Sequence, residues 1–487
     1  MRPSLSIDQL FLVILLVGVF TMAMRPVTDP DLWWHLKTGE FIAANHHVPR
    51  TDPFSFTRAG QPWVNHEWLS DWLIFKLYQY SGLAGLDAVF GAVLTLALFV
   101  VFLRACGSPF VAGLFTVWGA IASAPSWGVR PQMLSLLLAS TFLWILERTE
   151  RNPKAAWWMP ALMLLWVNLH AGYVLGMALI VLFAMGLALE VACGRRLWAE
   201  ISGQIRALGI ALIACCAIVP LNPNGLKLYW YPFATVRSHA MQAYIAEWFS
   251  PNFHEAKFLP FLLIVLAIVV FMASAPRRMR TPQLLLLMAT TWMALHASRH
   301  IPIFVLVAVP VLCGLAEPTF ASRVVFRRKS GHNVVNQAMN YAVLCALLVF
   351  ATVRTRAVIQ SLSEVEAQNF PAEAVRFVQE QHLAGPILNH YNWGGYLIWK
   401  LYPRYRVFID GRADVYGDKF MDQFAELYYV KKSDWGARLN DYGIQTVMMP
   451  PDAPLVGALE LSKSWSRVYA DSQVVILTRD QQASSLR

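Results

Sequence analysis

Long apolar runs separated by short polar turns dominate the first 353 residues. A membrane-spanning helix needs about 20 mostly apolar residues, since each adds about 1.5 Å across a hydrocarbon layer about 30 Å thick. On that scale the chain predicts about eleven spans: residues 9–25, 84–103, 109–125, 131–147, 156–170, 173–193, 207–221, 257–275, 282–297, 301–317 and 335–353. The apolar stretch from Trp157 to Cys193 is too long for one span. It divides at His170-Ala171-Gly172, where a polar side chain and a glycine permit a turn. The first run follows Arg2 and is read as an uncleaved span rather than a signal peptide.

The pattern changes at Arg354. A helix is expected over 371–382, strands at Pro386–Asn389 and Arg406–Asp410, and a helix near Lys419–Tyr429. Further strands are expected at Gln445–Met449 and Gln473–Leu477. This alternation predicts a small α/β domain over 354–487, beside a transmembrane domain over 1–353 with an outer loop at 26–83. Within that loop two interfacial helices are expected, Leu32–Ala44 and His66–Gln79. The second puts Trp68, Trp72 and Phe75 at headgroup level. The predicted fold class is an α-helical polytopic membrane protein with a C-terminal α/β domain.

Composition agrees. The 487 residues are 57% hydrophobic and 14% charged, against about 25% charged in soluble domains. The net charge of +10 comes from basic residues clustered beside apolar runs. These are Arg104; Arg148, Arg151 and Lys154; Arg195 and Arg196; Arg277, Arg278 and Arg280; and Arg323, Arg327, Arg328 and Lys329. Such clusters report membrane topology rather than nucleic-acid binding. They place the N-terminus in the cytoplasm and the C-terminal domain outside. The six cysteines form no CxxC or Cys/His spacing, so neither a disulfide framework nor a zinc ribbon is indicated.

Residues with chemical potential gather on the face opposite the basic loops. Asp29-Pro30-Asp31 follows the first span, and proline disfavours helix at Asp29, so Asp31 can open or cap the next helix. A carboxylate there can instead act as a general base, its pKa raised near lipid. Arg299-His300 sits in a tight outer turn, where the guanidinium either pairs with a phosphate or snorkels to headgroups. The same two readings apply to Arg130. His170 ends a Trp-rich helix, Asn222-Pro223-Asn224-Gly225 is a turn, and Glu247 stands beside Trp248 in an outer loop. His46-His47 and His66-Glu67 match no stringent metal template. In the C-terminal part, Asp410 and Arg412 either pair with each other or contact a substrate.

With these residues laid out, the chain resembles the C-type (GT-C) glycosyltransferases, in particular bacterial mannosyltransferase-like and lipid-A aminoarabinose-transferase-like members. The likeness rests on Asp29-Pro-Asp31 with Trp34-His35-Leu36 and Gly39, on Asp52-Pro-Phe-Ser-Phe-Thr57, and on Glu67-Trp68-Leu69. Trp166-Val-Asn-Leu-His170, Asn222-Pro-Asn-Gly225 and Arg299 extend it. The resemblance implies inverting transfer of a sugar from a polyprenyl-phosphate-linked donor to a lipid, glycan or protein acceptor. The expected place is the outer face of the bacterial cytoplasmic (inner) membrane. It implies an acidic base in the first outer loop, Asp31 or else Asp29, and a basic group on the donor phosphate, Arg299 with His300 and Arg130. His35, Glu67, His170, Asn222 and Glu247 are the expected substrate contacts. No metal ligands are assigned. Family members differ in metal use, so the cofactor expectation is none or a divalent cation, Mg or Mn. The Trp-Trp-Asp sequon motif of oligosaccharyltransferases is absent, which argues against sequon glycosylation. Two other classes compete: a transporter or flippase of lipid-linked sugars, which would need charged residues inside the spans, and a non-enzymatic membrane scaffold.

Overall fold

The computed structural model describes residues 5–274, 279–321 and 334–480. The basic clusters expected at Arg277 and Arg278 and at Arg323–Lys329 lie outside them. The chain divides into two compact units. One comprises Met1–Arg25, Asp87–Asn222 and Ala246–Gln360; the other comprises Pro26–Leu86, Pro223–Ile245 and Ser361–Arg487.

The first unit is helical. Its buried centre is the helix Ile301–Ala321, which packs against Pro109–Ser123 and Thr281–His296. Phe304 through Val309 are all buried, because helices lie on every side of this one. The close approach to Pro109–Ser123 occurs at Gly119, where a Cβ would come within 2.6 Å of the Val309 side chain. Each expected apolar run appears as a helix. Among the described residues, seven helices are long and apolar enough to cross a membrane, so the chain is a multi-pass membrane protein. The expected count of eleven is not confirmed among the described residues. Several runs form shorter helices: Trp158–Leu169 has 12 residues and Thr281–His296 has 16. At about 1.5 Å per residue these rise only about 18 and 24 Å.

The second unit gathers the first loop, a piece of the loop after Asn222, and the C-terminal residues. The expected boundary at 353/354 falls inside one continuous helix, Val334–Asn369. The helix Leu32–Asn45 packs on Gly394–Leu401. Gly39 has no room for a Cβ against the backbone of Asp71, which seats Leu32–Asn45 on the helix that starts at Trp68. That helix, Trp68–Arg104, breaks at Gly82, whose φ of 62° only glycine adopts readily. Trp33, Phe370 and Tyr396 form an aromatic core with centroids 5.0–5.4 Å apart.

Four strands make the sheet: β1 (Ile387–Asn389), β2 (Thr446–Met449), β3 (Trp465–Ala470) and β4 (Val475–Arg479), in the order β1-β2-β4-β3. β1 and β2 are parallel, with Leu388 opposite Val447, and the other pairs are antiparallel. The strand expected at Arg406–Asp410 does not form. Val407 makes only isolated bridges, to Ser55 and Ile387, and Asp410 turns aside to bind Arg412. β3 was not expected from the sequence. It is an edge strand, largely exposed, so it lacks an apolar alternation.

Candidate functional site

In the second unit Asp31 occupies the N-cap position of Leu32–Asn45, yet its carboxylate makes no capping hydrogen bond. Asp31 Oδ1 instead accepts from Trp34 Nε1 at 3.1 Å. Asp29, on the other side of Pro30, accepts the Asp31 backbone N–H at 2.9 Å. A Cβ at Gly411 would overlap the Asp31 carboxylate, so that glycine lets the loop reach it. One turn further along, the buried His35 places Nδ1 2.6 Å from Asp71 Oδ1. Asn65 Nδ2 donates to the other Asp71 oxygen at 3.1 Å.

Sequence reasoning passed over Asp71, Asn65 and Tyr231. The Glu67/Asp71 pair carries an i, i+4 spacing that sets both carboxylates on one side of the first helical turn. That signal was available. Tyr231 left none, because only folding brings it to Asp414.

The charges here are unbalanced. Burial pushes the Glu67 carboxyl up to about 8, reinforced by the nearby negative Asp71, Asp414 and Asp31 and opposed by His35. Burial likewise raises Asp414 to about 6, and its carboxyl is hydrogen-bonded to Tyr231. Burial alone would lower His35, but the hydrogen bond and charge of Asp71 leave it raised. His66, its ring 4.3 Å from that of Tyr231, is lowered to about 4 by burial. Arg412, also buried, lowers Asp414 and Asp71 through its charge but is shared with two further carboxylates. Its Nε and Nη2 bind both oxygens of Asp410 at 2.8 and 2.7 Å, and Nη2 lies 2.9 Å from Asp52. Of the two readings of Asp410 and Arg412, pairing is the one the structure adopts. Among the described residues, Arg412 Nη1 and Asn65 Oδ1 are buried without a hydrogen-bond partner. A cavity of about 390 Å³ adjoins, lined among others by Trp63, Tyr231, Thr235, Met241, Asp414 and Asp418.

In the first unit Arg130, Glu247, Arg299, His300 and His170 come together around a cavity of about 180 Å³. Arg130 stands just before Pro131, which starts the helix Pro131–Arg148. Arg299 lies in the single 3-10 turn Ser298–His300 between two helices. Glu247 bridges them, 2.5 Å from Arg130 Nη1 and 3.2 Å from Arg299 Nη1. Burial would raise Glu247, yet Arg299 and Arg130 hold it below the usual carboxylate range. The Arg299 guanidinium also lies 4.6 Å over Trp248. Ser298 anchors the turn by donating from its backbone to Phe249 and from its hydroxyl to Glu247 carbonyl.

His300 Nδ1 is 3.2 Å from Met293 carbonyl, so that nitrogen carries the proton. His170 is the opposite case. Its Nδ1 accepts from Gly172 N–H at 3.0 Å and meets the Ser135 hydroxyl at 2.8 Å, so the neutral ring carries its proton on Nε2. Ser135 in turn accepts from Trp166 Nε1 at 2.7 Å. Asn222 is not among the cavity residues; its side chain donates to Val167 carbonyl. Two guanidiniums against one carboxylate leave this cavity net positive and suited to an anion.

Metal donors do not assemble. Among the described residues, no group of three or more His, Cys, Asp or Glu is placed to hold a metal ion. Asp71 is engaged by His35 and Asn65, and Asp52 and Asp410 are engaged by Arg412. Among the described residues the donors thus offer no ready-made set for Mg or Mn.

No family model matches the chain, and no curated protein matches it. Solved structures do. The archaeal oligosaccharyltransferase AglB from Archaeoglobus fulgidus, in complex with an inhibitory peptide and a dolichol-phosphate, is 11% identical with a TM-score of 0.54. The match covers 97% of this chain and 74% of that one. ArnT from Cupriavidus metallidurans in the apo state is 17% identical, with a TM-score of 0.52 and coverage of 97% and 98%. The arabinofuranosyltransferase AftD from Mycobacteria is 12% identical, with a TM-score of 0.51, covering 98% of this chain and 40% of that one. The chain therefore has the polytopic fold of the GT-C membrane glycosyltransferases, the family that its first-loop motifs resemble.

Proposed function

We propose that the protein transfers a sugar from a polyprenyl-phosphate-linked donor to an envelope acceptor, at the outer face of a bacterial cytoplasmic membrane. The observation that carries this reading is the cationic cavity of the first unit, where Arg130 and Arg299 share one carboxylate. A phosphate monoanion or dianion takes the place of Glu247 between them, because both groups offer oxygens to the same N–H donors. His170, protonated on Nε2, adds a neutral donor.

In the transfer step an acceptor hydroxyl attacks the anomeric carbon. The bond from that carbon to the phosphate oxygen breaks, and polyprenyl phosphate leaves with the electron pair. Its charge is met by Arg299 and Arg130. Asp31 takes the acceptor proton, and attack opposite the leaving group inverts the anomeric centre. Asp29 fixes the backbone of Asp31 and Trp34 orients its carboxylate. Glu67, held protonated near neutral pH, is a hydrogen-bond donor to a sugar hydroxyl. No step is routed through a cation. The fold of the enzymes above supports glycosyl transfer, and the positive-inside pattern supports the assigned face.

The test is release of polyprenyl phosphate from purified protein incubated with a panel of polyprenyl-phosphate sugars. Asp31→Asn should slow release about 10²–10⁴-fold while leaving the thermal unfolding midpoint unchanged. No release from any donor, or full activity in the variant, rejects the proposal.

A further inference from the structure

The segment Gly225–Arg237 has two faces that the transfer chemistry does not use together. It consists of a 3-10 turn, Gly225–Tyr229, followed by the short helix Tyr231–Arg237. Tyr231, Ala234 and Thr235 line the 390 Å³ cavity of the second unit. The opposite side carries Leu226, Trp230, Phe233 and Val236, which are 69%, 76%, 55% and 60% exposed. Spacings of four and three residues put the first three on one helical face. A soluble surface rarely leaves so large an apolar stripe uncovered.

Lys227 flanks the stripe, is exposed, and makes no ion pair among the described residues, whereas Arg237 lines the cavity. Covalent connection limits where the stripe can be. The apolar helix ending at Leu221 is one of the membrane-crossing candidates, and only Asn222-Pro223-Asn224 separates it from Gly225. Three residues reach at most about 11 Å. The next membrane-crossing candidate starts at Ala256. The segment is thus tethered on both sides to helices that enter the same bilayer.

We infer that Gly225–Arg237 is an interfacial element: its Leu226–Trp230–Phe233 face enters the headgroup layer of an anionic bilayer. Lys227 contacts lipid phosphates, and the other face, with Arg237, walls the cavity beside Asp414. The partner is the lipid surface itself, not a protein. Aromatic residues with a flanking cation are the composition that such helices use. The inference requires a membrane-resident chain but not the glycosyl-transfer reading, and its test does not measure activity.

The experiment places a photoreactive benzoylphenylalanine at Phe233 in the full chain, reconstituted in nanodiscs of phosphatidylethanolamine and phosphatidylglycerol. Irradiation should yield lipid adducts as the main product. The same probe at Leu461, another exposed apolar residue of the second unit, should give few. Lys227→Gln should lower the phosphatidylglycerol share of the adducts, by up to about fivefold for the one charge removed. A chain-to-chain crosslink at 233 would identify a second copy as the occupant and overturn the inference. So would absence of any adduct, or a lipid composition indifferent to Lys227. An exposed position keeps each variant foldable, which a native-like unfolding midpoint checks.

Discussion

In the first unit one carboxylate, Glu247, faces two guanidiniums, Arg130 and Arg299. In the second unit Asp31, Asp71 and Asp414 all act electrostatically on the buried Glu67, opposed by a single imidazole, His35. Burial is common to both clusters, but its consequence differs in sign. Where cations are in excess, Glu247 stays ionised below its usual range. Where carboxylates are in excess, burial and like charge together raise Asp414 to about 6 and Glu67 to about 8, so that Glu67 keeps its proton near neutral pH. On the proposed function, one cluster meets an anion and the other holds and hands over protons. Charge balance, not depth of burial, separates the two roles.

The contrast can be broken most forcefully at Arg412. Removing this buried cation as Arg412→Met leaves the buried Asp52 and Asp410 without their counter-charge and should destabilise the protein by about 3–5 kcal/mol. Thermal unfolding of detergent-solubilised protein reads the effect; an unchanged midpoint would show that the pair is dispensable.

A smaller change separates anion binding from stability in the other cluster. Arg299→Gln should weaken polyprenyl phosphate binding by about ten- to a hundredfold, the weight of one charge-assisted hydrogen bond. Glu247→Gln should do the reverse and tighten binding by roughly tenfold, since the guanidiniums no longer have a resident carboxylate to release. Equilibrium binding of radiolabelled polyprenyl phosphate distinguishes them. Weaker binding in both variants would mean that Glu247 positions the arginines rather than competing for them.

The mildest test is pH. Glu67 is raised from its ordinary 4.5 to about 8, so between those values the folded state binds more protons than the unfolded chain. Stability therefore declines as pH rises through this window and levels off above it. Asp414, raised from 3.8 to about 6, adds a decline in the lower part of the same range. Glu67→Gln should flatten the unfolding midpoint between pH 6 and 8 on this linkage argument, roughly the upper part of the window. A profile as steep as the parent's would assign the proton elsewhere.

Much of the architecture was legible in the chain. Apolar runs mark helices because lipid demands long apolar segments with internally satisfied backbones. Asp29-Pro30-Asp31 announced a turn before a helix, and the helix does begin at Leu32. Other features left no local trace. His35 reads as a substrate contact until the fold delivers Asp71, 36 residues away, to its Nδ1. Asn222 reads as polar and available until its amide meets the Val167 carbonyl, 55 residues distant. The strand expected over Arg406–Asp410 has suitable residues, but Val407 finds only isolated bridges and Asp410 a guanidinium.

What the sequence by itself determined is the sorting of residues between lipid and water, because hydropathy acts on each segment locally. It also determined the local turns that place Asp31 and Arg299 at helix ends. Only the tertiary structure decided which charges share a site, and hence which carboxylates stay ionised. Coulomb and desolvation energies depend on through-space distance, which a linear order of residues does not contain.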